Sequence, residues 1–437
     1  MQIKRVWAKG LFGTLNFDHS IKSGINLLVG INGSGKTSIL NIISWITSID
    51  IPSLATVEYQ ELGIEFTHKN REKTTIRAVQ NGRNLHIHGT IEKRELSPIH
   101  VDMPIPPKDL ARYNRSRDDL RKHYAQLGPE KDEFELWNLL QNGPKPLTIS
   151  LDRRIKITNN KNILDEEDID HFTVNRINTQ VGDPIKQVIK IARERHSQYQ
   201  SELLKINEKL KAKIIASSFS AKHTNTSANK ITATKISAIE QKLLTRMSAW
   251  TTDSTERSSV TNYFKKIRSL VQSEQSASKS EISVALRSFL ADDIHRISAL
   301  SDALDEFEYS ASAAFEPINI YLKELNGFFA DSGKVINFSE INNQIYFHLN
   351  EEDDEHRSIE LMSSGERQVL ILLTYIAFAP FQTSIFIIDE PELSLHPKWQ
   401  HQLLPSIDAL MGKETQMIIA THSPEIVGNY RSKCIEV

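Results

Sequence analysis

The stretch LLVGINGSGKTSIL, Leu27 to Leu40, limits what this chain can fold into more than any other segment. A buried-strand pattern, INLLV, runs into Gly30-Ile31-Asn32-Gly33-Ser34-Gly35-Lys36-Thr37. An amphipathic run, TSILNIISWI, follows at once. Glycines at 30, 33 and 35 let the backbone fold around a phosphate chain with its N–H groups pointing inward. The start of the following helix adds partial positive charge. The spacing satisfies G-x-x-x-x-G-K-[ST], with the strand before and the helix after that the mechanism requires. In that arrangement Gly30 to Ser38 surround the phosphates, Lys36 reaches the β- and γ-phosphates, and the Thr37 hydroxyl holds Mg²⁺. A glycine turn that binds nothing accounts for the loop but leaves its flanks unexplained.

The carboxy-terminal third supplies the groups such a cradle needs. SIFIIDEPELSLHP contains an apolar strand, Ile385 to Ile388, that delivers Asp389 and Glu390 at its end. In an open parallel sheet that edge is where ligands sit. Asp389 is expected to complete the Mg²⁺ shell, and Glu390 to polarise the attacking water. In ELMSSGERQVLILLTYIAF, Ser363, Ser364 and Gly365 stand just before a strongly helical run. Small residues at a helix start expose N–H donors, a second anion site, and Glu366 favours the same helix end. Taken alone this is an ordinary helix cap. QMIIATHSPEIV brings a strand ending at Thr421-His422, where a lone histidine is by itself a structural residue more often than a functional one.

Together the four segments resemble the ABC-type ATPase head of SMC-like and OLD-family proteins. The glycine loop corresponds to Walker A, FIIDEPE to Walker B, MSSGE to the signature, LSLHP to the D-loop and THS to the switch histidine. The resemblance implies that Ser363, Ser364, Gly365 and Glu366 belong to a nucleotide site completed by a second subunit. It also implies that His422 acts with Glu390 at the γ-phosphate. Two ATP molecules with Mg²⁺ would be sandwiched in a head-to-tail homodimer or a higher even-numbered assembly. The signature departs mildly, with Met362 for leucine and Glu366 for glutamine. No segment matches the Q-loop, for which Gln60 and the arginines of LDRRI, Arg153 and Arg154, are the candidates.

The implied fold class is α/β: an ABC-type ATPase head, with a mixed sheet and an antiparallel β-subdomain, carrying an inserted helical domain with a short coiled-coil hairpin. Residues 1–183 form the first part of the head, 184–330 the insertion and 331–437 the second part. In the first part, QIKRVWA reads as an edge strand, and Asn81-Gly82 between alternating runs signals a hairpin. Pro104, Pro106 and Pro107 exclude a regular element, and PLTISLDRRIKI reads as one strand. Lys, Glu, Gln and Leu then dominate a proline-free stretch from Ile185, predicting a long helix of roughly 45 Å.

The bulk numbers narrow the class. A net charge of −2 over 437 residues leaves any nucleic-acid surface to local patches. One cysteine, Cys434, makes no intrachain disulfide, which fits a reducing compartment. The first residues carry no signal-peptide core, and the most apolar run stops at Pro380, too short for a bilayer. The expectation is a cytoplasmic protein with no membrane partner.

Which ATPase this is rests on architecture. More than 300 residues separate the glycine loop from Ser363, unlike the compact cassette of a transporter. The insertion is too short for a chromosome-scale tether. OLD-family nucleases continue past the switch histidine into a TOPRIM domain, whereas fifteen residues follow His422 here. The acidic run EEDDEH, Glu351 to His356, reads as a solvated turn. The combination resembles the stand-alone ATPases of bacterial anti-phage systems, first the AriA family of PARIS and next the PtuA family of Septu. By that resemblance a separate TOPRIM-type nuclease is held and released on sensing a phage trigger, such as a DNA-mimicking protein. For Septu the effector would be an HNH nuclease. Between Lys205 and Lys235 seven lysines stand against Glu208, a surface for an acidic trigger or for DNA, and Arg112 to Arg121 offer a second. The alternative class is an SMC-like ATPase that processes DNA directly.

Overall fold

The computed structural model describes residues 1–67, 72–112, 114–143, 145–149, 155–157, 183–219, 233–250, 254–275, 281–350, 355–378, 385–393 and 395–437. The chain begins with β1 (Gln2–Leu11), β2 (Leu15–Ser20), β3 (Gly24–Val29), α1 (Lys36–Thr47) and α2 (Ile51–Thr56). Next come β4 (Glu61–Thr67), β5 (Lys73–Asn81), β6 (Asn84–Ile91), β7 (Arg94–Glu95) and β8 (Ile99–Asp102). Helices α3 (Asn114–Tyr124) and α4 (Phe134–Gln141) precede β9 (Leu147–Ile149) and β10 (Ile155–Ile157). The long helices are α5 (Pro184–Phe219), α6 (Ala233–Trp250), α7 (Ser254–Gln275) and α8 (Glu281–Phe329). After β11 (Lys334–Phe338), β12 (Ile345–Leu349) and β13 (Arg357–Ser358) come α9 (Ser364–Phe378) and β14 (Ile385–Asp389). The chain closes with α10 (Pro397–Leu410), β15 (Gln416–Thr421), α11 (Pro424–Val427) and β16 (Cys434–Glu436).

Among the described residues the strands form three sheets. One is antiparallel in the order β2-β1-β4-β5-β6-β7, with β8 also paired to β6. The second runs β10-β9-β14-β15-β3-β16, parallel except for the β9–β10 hairpin. The third is the small meander β11-β12-β13. This is a mixed α/β architecture with a separate antiparallel sheet, in keeping with the expected fold class.

Helix α1 shares one core with both large sheets. Its buried Ile39, Ile42, Ile43 and Ile46 repeat at helical spacing. They belong to the same cluster as Ile3, Val6, Leu62 and Ile64 of the antiparallel sheet and Ile385, Ile387 and Ile418 of the parallel one. Each buried isoleucine is worth roughly 1.5–3 kcal/mol. The alternate residues of β14 and β15, including Phe386, Ile388, Met417 and Ile419, are buried too. That explains their unbroken apolar runs. Gln416 ties the sheets together: its Oε1 accepts from the Ile3 amide at 2.8 Å, and its Nε2 donates to the carbonyls of Ile3 and Lys22 at 2.8 and 2.7 Å.

Four readings need amending. β1 is an interior strand, hydrogen-bonded to β2 on one side and β4 on the other, so β2 forms the edge. The hairpin turn between β5 and β6 is Gly82-Arg83, one residue later than the Asn81-Gly82 pair, because Asn81 still pairs with Asn84. Gly82 supplies the positive φ of 62° that the turn needs. PLTISLDRRIKI holds two strands, β9 and β10, paired antiparallel. Around the proline run, β8 ends at Asp102 and a 3₁₀ turn begins at Pro107, so only the residues between are irregular.

The chain divides into two compact units, residues 1–195 with 319–437, and residues 196–318. Within the second, α6 and α7 pack through Ile236, Phe264 and Ile267, and Arg268 forks onto the Glu240 carboxylate at 2.5 and 3.2 Å. Glu306 of α8 pairs with Lys213 and, at 2.9 Å, with Lys209 of α5. Those two lysines of the basic stretch are therefore neutralised within the unit. Lys222 and Lys230 lie outside the described residues. So do Arg153, Arg154 and Glu351 to Asp354. Of the arginine cluster, the exposed Arg121 donates to Ser53 Oγ at 3.1 Å. Among the described residues no helix is long and apolar enough to cross a membrane.

Candidate nucleotide site

Strand register assembles the site. β15 lies between β3 and β14, parallel to both, with Thr421 opposite Val29 and Asp389 opposite Ala420. The three strands therefore end together. The loop after β3, the Asp389-Glu390 pair and the Thr421-His422 pair gather at that one edge, where ligands bind in open α/β sheets.

The loop is built for close approach. Gly33 and Gly35 have φ of 83° and 110°. A Cβ on Gly35 would stand 2.9 Å from Leu15 Cδ2, and one on Gly30 would stand 2.6 Å from the Val437 carbonyl oxygen. Ile31, Asn32 and Gly33 are exposed, while Ser34 and Ser38 are half-buried. No side chain caps the start of α1, so its first N–H groups have no side-chain acceptor there. The Ser34 hydroxyl is buried with no partner. Lys36 is buried and donates to the loop's own carbonyls, Gly30 and Ile31, both at 3.0 Å. Burial pulls the Lys36 ammonium below the usual lysine range, against the opposing pull of Glu390, Asp389 and Glu392. An orphaned hydroxyl, an uncapped helix start and a cation resting on backbone carbonyls are what a polyphosphate would satisfy.

Thr37 Oγ1 donates to Asp389 Oδ1 at 3.3 Å. Burial raises the Asp389 carboxyl above the ordinary carboxylate range, and Glu390 and Glu392 add to this, while the Thr37 hydroxyl and Lys36 oppose it. Two hard oxygens from separate elements suit magnesium, which keeps most of its shell as water and phosphate. Among the described residues no cluster of three or more histidine, cysteine or acidic side chains is arranged to hold a metal.

Glu390 adopts φ of 48°, an unusual value for a side-chain-bearing residue, held by a bond from its amide to the Ala420 carbonyl at 2.8 Å. Its Oε1 lies 3.5 Å from His422 Nε2. The strand ends thus place an acid and a histidine side by side next to Asp389.

Ser363 and Ser364 are exposed at the start of α9, Gly365 is half-buried, and Met362 is buried beneath them. Glu366 points inward. Its Oε2 accepts from the Ser363 amide at 2.8 Å, and Ser363 Oγ accepts from the Glu366 amide at 3.4 Å, a reciprocal capping box. Both Glu366 oxygens also accept from Lys334 Nζ at 2.8 Å. Burial pushes this carboxyl up, but Lys334 and the Ser363 amide outweigh it and hold it below the ordinary range. Gln60 packs against Gly10 at the start of β4. In the segment LSLHP, Leu393 is exposed and His396 caps α10.

Three residues escaped the sequence reading. Lys334 holds Glu366, Glu392 binds Thr421 and His422, and Gln400 binds Ser423. The S-x-x-E spacing of Ser363 and Glu366 signalled the capping box. Nothing local signalled their distant partners.

A family model described as "AAA ATPase domain" matches residues 1–427. The Retron Ec83 probable ATPase of Escherichia coli is 35% identical over 80 residues, 16% of this chain and 15% of that protein. Protein ea59 of Escherichia phage lambda is 32% identical over 84 residues, 19% of this chain and 16% of that protein. The matched segments thus span about a sixth of these relatives' lengths. Among solved structures, the Smc head domain of Pyrococcus furiosus bound to the C-terminal domain of ScpA aligns with a TM-score of 0.38 and 14% identity. That alignment covers 98% of this chain and 91% of the other. The SMC head domain from Thermotoga maritima aligns at 0.37 and 10%, with the same coverage.

Proposed function

The chain belongs to the AAA ATPase domain family and is an ATPase; from that premise we propose that two copies of it share each bound ATP, one through Gly30 to Ser38 and the other through Ser363, Ser364 and Gly365. The observation that carries the nucleotide site is the Thr37–Asp389 contact beside an uncapped α1 and an orphaned Ser34 hydroxyl. Lys36 leaves the Gly30 and Ile31 carbonyls to meet the β- and γ-phosphates. Thr37 and Asp389 would hold Mg²⁺, which when bound neutralises charge on the phosphate oxygens. Glu390 takes the proton of the attacking water as the bond between γ-phosphorus and the leaving oxygen breaks. His422, with its Nε2 3.5 Å from Glu390 Oε1, would sense the same γ-phosphate. Glu366 acts indirectly, by fixing the helix start that presents the exposed serines.

Exposed apolar side chains support the pairing of heads. Ile31 of the glycine loop, Leu361 just before the signature and Leu393 of the D-loop are 81%, 72% and 44% exposed. Large apolar groups left in water on the very loops that would meet a second copy are what an interface covers.

We further propose that this ATPase is the scaffold and sensor of an anti-phage system, holding a separate nuclease of TOPRIM type and releasing it on a phage trigger. The likeness to a retron ATPase supports a place in defence, and the helical insertion offers a surface for the partner. The test is co-expression with the neighbouring reading frame followed by pull-down. A stable complex with a small nuclease, lost on adding a trigger, supports the reading. Strong stimulation of the lone protein's hydrolysis by DNA, with no complex, points instead to direct DNA processing.

A further inference from the structure

Glu392 stands two residues beyond Glu390, and its side chain crosses to the end of β15. Its Oε1 accepts from the Thr421 hydroxyl at 2.9 Å and from the His422 amide at 2.7 Å. The turn carrying it is pinned in its own right. The Leu393 amide bonds the Glu390 carbonyl at 3.2 Å, and the Leu395 amide bonds the Glu392 carbonyl at 3.0 Å. Gln400 of α10 adds a second link. Its Nε2 donates to the carbonyls of Leu395 and Glu392 at 3.0 and 3.4 Å, and its Oε1 accepts from Ser423 Oγ at 2.6 Å. Residues 421–423 are therefore fastened to the segment after β14 by two side chains, Glu392 through Thr421 and the His422 amide, and Gln400 through Ser423.

That ring is what needs fastening. His422 is partly exposed, and its Nε2 stands 3.5 Å from Glu390 Oε1. Glu390 in turn holds a backbone conformation with φ of 48°, which persists only where surrounding bonds over-determine it. An acid in a strained turn and a histidine on a separate strand keep a fixed spacing only if the two turns are tied together. Glu392 makes that tie with a single oxygen, while its Oε2 is buried without a partner.

We propose that Glu392 is a positioning residue for hydrolysis, setting the His422 backbone so that the imidazole faces Glu390. The inference rests on the reading of Glu390 as base and His422 as its companion. Because one oxygen accepts both bonds, a glutamine keeps them and a leucine does not. Glu392→Leu is expected to lower kcat for ATP by about 10- to 100-fold, as loss of an orienting partner does, while KM for ATP stays within about twofold. Glu392→Gln is expected to recover most of that rate. Wild-type turnover by the leucine variant overturns the proposal. So does a glutamine variant as slow as the leucine one, which would assign the work to the charge. If the leucine variant does not fold, Thr421→Val removes one of the two bonds at nearly constant shape, and an unchanged kcat there overturns it equally. Glu390→Gln measured in parallel separates the failures. Normal turnover there sinks the assignment of the base, whereas normal turnover in Glu392→Leu sinks the positioning role alone.

Discussion

Thr37 Oγ1 and Asp389 Oδ1 lie 3.3 Å apart although 352 positions separate them in the chain. The contact exists because β15 inserts between β3 and β14 and all three strands point the same way. It joins the hydroxyl after the glycine loop to the acid at the end of the apolar strand.

Asp389→Asn keeps a hydrogen-bond acceptor for Thr37 and removes the charge. Magnesium titration of phosphate release is expected to shift its midpoint upward by more than about tenfold, the ratio for ~1.4 kcal/mol. An unshifted midpoint would remove Asp389 from the metal shell.

Lys36→Ala removes a cation that contacts backbone carbonyls in the free protein and, on the proposed reading, phosphate in the bound one. Loss of a charge-assisted bond worth ~1.5–3 kcal/mol weakens ATP by roughly 10- to 100-fold. A fluorescent nucleotide titration reads this directly, and unchanged affinity counts against the phosphate cradle.

Glu390→Gln leaves the turn nearly isosteric and cannot accept the water's proton. Hydrolysis is expected to fall by about 10²- to 10⁴-fold with ATP binding retained. Sedimentation of this variant with ATP and magnesium is expected to give a dimer or larger even-numbered species. Saturated but unpaired protomers would contradict the shared site.

Glu366 supplies a pH dependence. Lys334 and the Ser363 amide hold its folded-state pKa below the unfolded value of 4.5. Its stabilisation is therefore complete above that value and is lost as pH falls through the lower folded one. Glu366→Ala strands Lys334 and removes the carboxylate half of the capping box, leaving the Ser363 amide unpaired, at a cost of about 3–5 kcal/mol. Thermal melts at neutral pH and near pH 3 are expected to differ less for the variant than for the wild type.

Lys145 supplies a pH dependence of the same sign in the alkaline range. Its Nζ donates to the Thr47 and Leu140 carbonyls at 2.7 and 2.6 Å, near the ends of α1 and α4, and burial pushes it down to about 8. Between that value and 10.5 the unfolded chain holds the proton and the folded one does not, so this group's contribution to stability rises with pH across the window. Lys145→Met abolishes that slope and leaves two carbonyls unpaired, at about 1–3 kcal/mol each. Chemical denaturation at pH 7.5 and 10 tests both.

The glycine loop, the acid pair after β14, the serines before α9 and Thr421-His422 were all legible in the sequence, because each is a local requirement. A phosphate loop needs its glycines within six residues, and a helix start needs its cap beside it. The alternating and unbroken apolar runs likewise announced antiparallel and doubly covered strands. Partners hundreds of positions away were not legible. That β1 lies inside its sheet, that Glu366 turns in to Lys334, and that Glu392 reaches to His422 depend on strand order and packing. A side chain's chemistry is written at its own position, but the direction it points is set by whatever the fold stacks against it.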